Sequence, residues 1–181
     1  ENLHNLNSNS MKAIRLIALA ACMAATLDAS AQEQEIRLFS HRGGRMEHDE
    51  NTLSAFQASY DAGYRGFETD IRMTRDGALV ITHDSSLERT TDGTGTVEEK
   101  TEAEIRQLAT KQGNKMMFLD ELLEFLKGKE GLYVEFEMKT KPVELYPEER
   151  LHAYCDKLYD AVMAVKPADA VFVFTSGDYR G

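Results

Sequence analysis

From residue 36 onward the hydrophobic period changes repeatedly, from two to about three and a half and back. Strands alternating with helices that must each bury one face leave few layouts, and a mostly parallel α/β sheet is the simplest. Strands are expected over residues 36–40, 66–73, 78–82, 132–138 and 171–175. Helices are expected between them. Residues 52–62 place Leu53, Phe56 and Tyr60 on one side, with Asn51 or Thr52 as the cap and Gly63 at the end. Thr101 and Glu104 have capping-box spacing ahead of a helix that carries Ile105 and Leu108. Residues 119–126 gather Leu122, Leu123 and Leu126, and Pro147 opens a long helix to about residue 165.

The ends of these strands carry charge. The first ends in His41-Arg42, the second in Glu68-x-Asp70, the third in His83-Asp84 and the fourth in Glu137-x-Lys139. In parallel α/β sheets and barrels, ligands bind where strands end. Glu68 and Asp70 are two apart and share a face, roughly 7 Å apart along the strand. Two like charges on one buried face are costly unless a cation joins them, and a hard divalent ion takes oxygen ligands. From this pair alone, a solvated face with Arg72 as partner is the simpler reading. Glu137 adds a third carboxylate opposite the apolar flank of Leu132, Val134, Phe136 and Met138. His41 and His83 suit acid–base work near neutral pH. Arg42 and Lys139 supply the fixed charge that a phosphoryl group requires. The chain has neither a P-loop nor zinc-type Cys/His spacing. Its formal net charge of −10 argues against a nucleic-acid-binding surface.

Met11, Lys12 and Arg15 precede an apolar run to Leu27 and a small-residue site, Ala29-Ser30-Ala31. Residues 11–31 are therefore expected to be a secretory signal, with residues 1–10 upstream of it and a domain over 32–181. The run falls short of the about 20 residues that span a bilayer. Lipidation at Cys22 is the minor alternative to free export. Cys155 would be the one thiol of the exported chain, packed in a helix.

The string SHRGGRMEHDENTLSAFQASYDAGYRGFETDIRMTRDGALVITHDSSLERTTDGTG, followed by Glu137-Met138-Lys139, resembles the glycerophosphodiester phosphodiesterase family. Several spaced motifs stand in the family's order from about residue 38 to the C-terminus. The resemblance implies a TIM-type (β/α) barrel that hydrolyses glycerophosphodiesters to sn-glycerol 3-phosphate and an alcohol. By resemblance, His41 and His83 are the acid–base pair. Glu68, Asp70 and Glu137 hold Ca²⁺ or Mg²⁺, Arg42 and Lys139 bind phosphate, and Glu50 lines the site. Alternatives are a phospholipase D-like enzyme acting on lysophospholipids, and an inactive fragment that binds metal or a partner.

The chain departs from the family pattern in three places. Asp49 stands where Pro is usual, and Met117-Phe118-Leu119 where Pro-Thr-Leu is usual, which leaves loop rigidity open. Residues 32–181 fall short of the about 250 residues of such a barrel, so a C-terminal truncation to about five strands is expected. Residues 67–84 admit two arrangements. The resemblance favours parallel strands with an unusually short link, whereas such links normally take a dozen or more residues. A two-residue turn at Asp76-Gly77 would instead make an antiparallel hairpin with Asp70 opposite His83.

Overall fold

The computed structural model describes residues 37–141 and 143–180. The expected export signal over residues 11–31, with Cys22, lies outside them. Among the described residues no helix is long and apolar enough to cross a membrane.

One sheet organises the domain. Its strands are β1 (Phe39–His41), β2 (Gly66–Met73), β3 (Leu79–Ile81), β4 (Tyr133–Met138) and β5 (Val171–Ser176). The order is β1-β2-β4-β5, and these neighbours are parallel. Among the described residues four α-helices accompany it: α1 (Leu53–Asp61), the single turn α2 (Glu102–Ile105), α3 (Leu119–Leu126) and α4 (Glu148–Val165). Thr52 caps α1 by accepting from the Ala55 amide, and the expected capping box closes on α2. α2 ends earlier than its pattern suggests, and Leu108 packs beyond it. α3 has no polar cap, but Glu121 reaches back to accept from the Phe118 amide at 2.9 Å.

Alternation along the strands divides the sheet into two faces. Phe67, Ile71, Val134 and Phe136 point to the helix side and are fully buried. They pack with Phe56 of α1, Leu122 and Leu126 of α3, and Tyr154, Leu158 and Val162 of α4. Burying each such side chain stabilises the fold by about 1.5–3 kcal/mol. Cys155 is half-buried against this core, as its helical position suggested.

β3 corrects the parallel arrangement that the resemblance favoured. It runs antiparallel to β2, pairing Ile71 with Ile81 and Met73 with Leu79. The link is far too short for a parallel crossover. The turn also differs from the two-residue form. Gly77 adopts φ +88° and donates to the Thr74 carbonyl, while the Thr74 amide donates to Ala78, so the loop holds three residues. The extra residue slides the register by one. The Thr82 amide, not that of His83, donates to the Asp70 carbonyl at 3.0 Å.

β4 takes one edge of β2. The other edge is shared: β1 occupies Gly66–Glu68 and β3 occupies Ile71–Met73. The C-terminal ends of β1 and β3 therefore approach each other from opposite directions, beside Glu68 and Asp70. After β3 the chain builds a second small core from Val80, Leu87, Val97, Ile105, Met116 and Phe118. The residues standing in for the usual Pro-Thr are buried: the Met117 carbonyl accepts from the Ile81 amide, and Phe118 bridges Val80. Asp49 also fixes its loop, accepting from Thr110 Oγ1 and from Asn114 Nδ2 at 2.8 Å.

Candidate active site

The parallel register puts His41, Glu68 and Glu135 at one level, and Asp70, Glu137 and Thr175 at the next. Glu68, Asp70 and Glu137 share the face opposite the helices. One ligand atom from each lies within 4.8 Å of the others. Asp70 is completely buried and Glu68 nearly so. These acids are not a solvated face, and Arg72 is not their partner.

Burial, then the neighbouring Asp70 and Glu137 charges, push the Glu68 carboxyl up to about 8. The Arg42 amide donates to Glu68 Oε2 at 3.0 Å, while Oε1 is buried without a hydrogen-bond partner. An orphaned carboxylate oxygen beside two further acids fits a hard divalent cation. The cluster's own positive charge comes from Lys139, whose Nζ lies 2.6 Å from Glu137 and 3.1 Å from Asp70.

Arg42 follows β1 with φ +54°, an uncommon conformation for a side chain of its size. That turn lets its amide reach Glu68 while its guanidinium reaches Asp70 at 3.3 Å and Glu50 at 3.2 Å. Glu50 also receives Arg89 through both oxygens, at 2.7 and 3.0 Å. The Arg89 hydrogen bonds hold its carboxyl below the usual range against the cost of burial.

His41 is half-exposed, with Nε2 3.5 Å from Glu68. Burial, then the Arg42 and Arg45 charges, lower its pKa, and His83 is near enough to contribute. His83 Nδ1 is 2.6 Å from Asp84 Oδ1. Burial would raise Asp84, but hydrogen bonds from Arg89 and His83 hold it down at about 2. Asp84 and Arg89 thus link His83 through Glu50 to Arg42.

All eight expected site residues come together, but their supporting partners were less visible in the sequence. Asn51, read only as a possible cap, turns to φ +58° and donates from Nδ2 to Asp70 at 2.9 Å. Its place directly after Glu50 was the available signal. Arg89, in the glycine-rich stretch of the motif, holds both Glu50 and Asp84. His152 is exposed on α4, away from these residues in the chain.

Residues 41–176 match the glycerophosphoryl diester phosphodiesterase family. The chain belongs to this family. It is 37% identical over 123 residues to a glycerophosphodiester phosphodiesterase of Caldanaerobacter subterraneus, covering 63% of this chain and 50% of that protein. Among solved structures it is similar to a glycerophosphoryl diester phosphodiesterase from Silicibacter pomeroyi. That match has a TM-score of 0.72 at 26% identity, over 82% of this chain and 59% of the other. It is also similar to an Oleispira antarctica phosphodiesterase in complex with the product sn-glycerol-3-phosphate. There the TM-score is 0.69 at 29% identity, over 80% and 59% of the two chains. The chain thus spans about half the length of the first of these relatives. The fold shared with the solved relatives is the TIM-type (β/α) barrel, to which β1, β2, β4 and β5 contribute parallel strands.

Proposed function

We propose that this chain carries the catalytic centre of a metal-dependent phosphodiesterase that releases sn-glycerol 3-phosphate and an alcohol from glycerophosphodiesters. The observation that carries this reading is the cluster of Glu68, Asp70 and Glu137 with two imidazoles beside it. The product bound to the Oleispira antarctica relative supports the substrate class.

Glu68, Asp70 and Glu137 would hold the cation, Ca²⁺ or Mg²⁺. When bound, it supplies positive charge that neutralises phosphate oxygens. Arg42 and Lys139 orient the phosphate from opposite sides of the acids, and Glu50 keeps Arg42 extended towards it. The lowered pKa of His41 favours its neutral form, which can accept a proton. His83 is oriented by Asp84 through Nδ1, which leaves Nε2 for the second transfer. One imidazole takes the proton of the attacking oxygen, and the other returns a proton to the leaving alkoxide. The signal-like residues 11–31 support export as the setting for this activity.

The test is product release from glycerophosphocholine and from lysophosphatidylcholine, with and without chelator. Release of glycerol 3-phosphate from the first, abolished by chelator and restored by Ca²⁺ or Mg²⁺, is expected. Turnover of lysophosphatidylcholine alone would move the assignment to a phospholipase D-like enzyme. No turnover of either would overturn it.

A further inference from the structure

Arg72 follows Glu68 and Asp70 on the same face of β2, and the proposed chemistry gives it no task. It is nonetheless the most heavily bonded buried cation near the site. Its side chain is 8% exposed. Nε and Nη2 donate to the His83 carbonyl at 3.0 and 2.8 Å. Nη1 donates to Glu98 at 2.7 Å and to the Lys139 carbonyl at 3.3 Å. Glu98 is itself fully engaged. Oε1 also accepts from the Tyr146 hydroxyl at 3.1 Å, and Oε2 accepts from Ser85 at 2.6 Å. Tyr146 in turn accepts from the Met73 amide at 3.0 Å.

Burying an ion pair is rarely the cheapest way to stabilise a fold, so its geometry is the informative part. The two carbonyls that Arg72 grips belong to His83, just past β3, and Lys139, just past β4. No ladder joins these two chain ends, because β2 runs between them. A guanidinium presents its donors in a rigid planar fork, whereas an ammonium cannot hold three separated acceptors in one plane.

We propose that Arg72, braced by Glu98, is a positioning residue that fixes the His83 imidazole and the Lys139 ammonium relative to one another. The inference rests on the phosphodiesterase reading above for the roles of those two groups. Arg72 itself donates to Glu98 and to backbone carbonyls. It acts through the backbone of both neighbours.

The full chain tests this with glycerophosphocholine at saturating Ca²⁺. In Arg72→Lys, kcat is expected to fall at least tenfold, with KM and Ca²⁺ affinity within twofold of the parent. Glu98→Gln keeps an acceptor for the guanidinium and should stay within about threefold of parental kcat. A folded Arg72→Lys chain with parental kcat overturns the proposal. So does an equal loss in both variants, which marks a purely structural pair. If Arg72→Lys does not fold, Arg72→Met combined with Glu98→Leu removes the buried charge and the grip together. Parental kcat in that variant overturns the proposal equally. A through-hydrogen-bond coupling from Arg72 Nε to the His83 carbonyl carbon is expected by NMR in the parent, and its absence overturns the grip itself. If the parent turns over no glycerophosphodiester, the functional reading falls. The positioning proposal is then decided by the His83 ring signals, which must move in Arg72→Lys while those of His152 stay in place.

Discussion

The two faces of β2 are buried to the same degree by opposite means. On the helix side, Phe67 and Ile71 are excluded from water by apolar contacts with α1, α3 and α4. On the other, Glu68, Asp70 and Arg72 are just as enclosed, but only fixed partners offset their desolvation. The first face can lose a contact and repack. The second is balanced charge by charge, and at Glu68 it is left unbalanced, with one oxygen unpartnered. An interior carboxyl that can ionise only at a cost marks a place built to receive something rather than to hold the fold together.

The strongest challenge to this contrast is Phe136→Ala. Phe136 is fully buried between Phe172 and Phe174. Its truncation should cost about 3–5 kcal/mol in urea unfolding while Ca²⁺ affinity per folded molecule stays unchanged. Glu68→Gln should do the reverse, lowering Ca²⁺ affinity at least 100-fold by calorimetry, about 2.7 kcal/mol. Its pH dependence sharpens the point. Folded Glu68 keeps its proton up to about pH 8, and the unfolded carboxyl releases it near 4.5. The folded chain binds the extra proton between these values. In chelator, the contribution of Glu68 to stability is therefore full below about pH 4.5 and is lost as pH rises through about 8. Glu68→Gln should flatten that slope, and a parental slope in the variant would refute the crowding account.

Asp84→Asn removes the charge behind His83, and kcat should drop about tenfold, roughly 1.4 kcal/mol, with the melting temperature little changed. The smallest effect belongs to the surface. Arg75 lies 3.6 Å from Glu104 and both are well exposed. Arg75→Ala should shift unfolding by less than about 0.5 kcal/mol. A larger loss would mean that exposed pairs carry weight which the contrast assigns to the interior.

The helices and parallel strands were legible because each carries its own periodicity and punctuation. Thr52, the Thr101–Glu104 pair and Pro147 all mark their boundaries in the structure. The eight site residues were legible because strand alternation and family spacing point the same way. The direction of β3 was not. Asp76-Gly77 suits a two-residue and a three-residue hairpin equally, because the glycine turns to positive φ in both, and only the register of β3 on β2 distinguishes them. Arg72 was misread for a related reason. Its true partner, Glu98, lies 26 residues away, in a segment with little periodic structure of its own. Short-range patterns show which face a residue occupies, but not which distant loop will close over it.

The shared edge of β2 has a geometric consequence. β2 has eight residues, and one side of it is divided between β1, arriving from one end, and β3, returning from the other. The strand is in effect a ruler, and the gap between the two histidine-bearing ends is read in steps of about 3.3 Å per residue. Side-chain substitution cannot change that reading by a fraction of a step. Lengthening or shortening the Thr74–Ala78 loop by one residue can, and it would turn His83 to the other side of the sheet as it did so. The width of this site is therefore a whole number, set by how many residues make the bend.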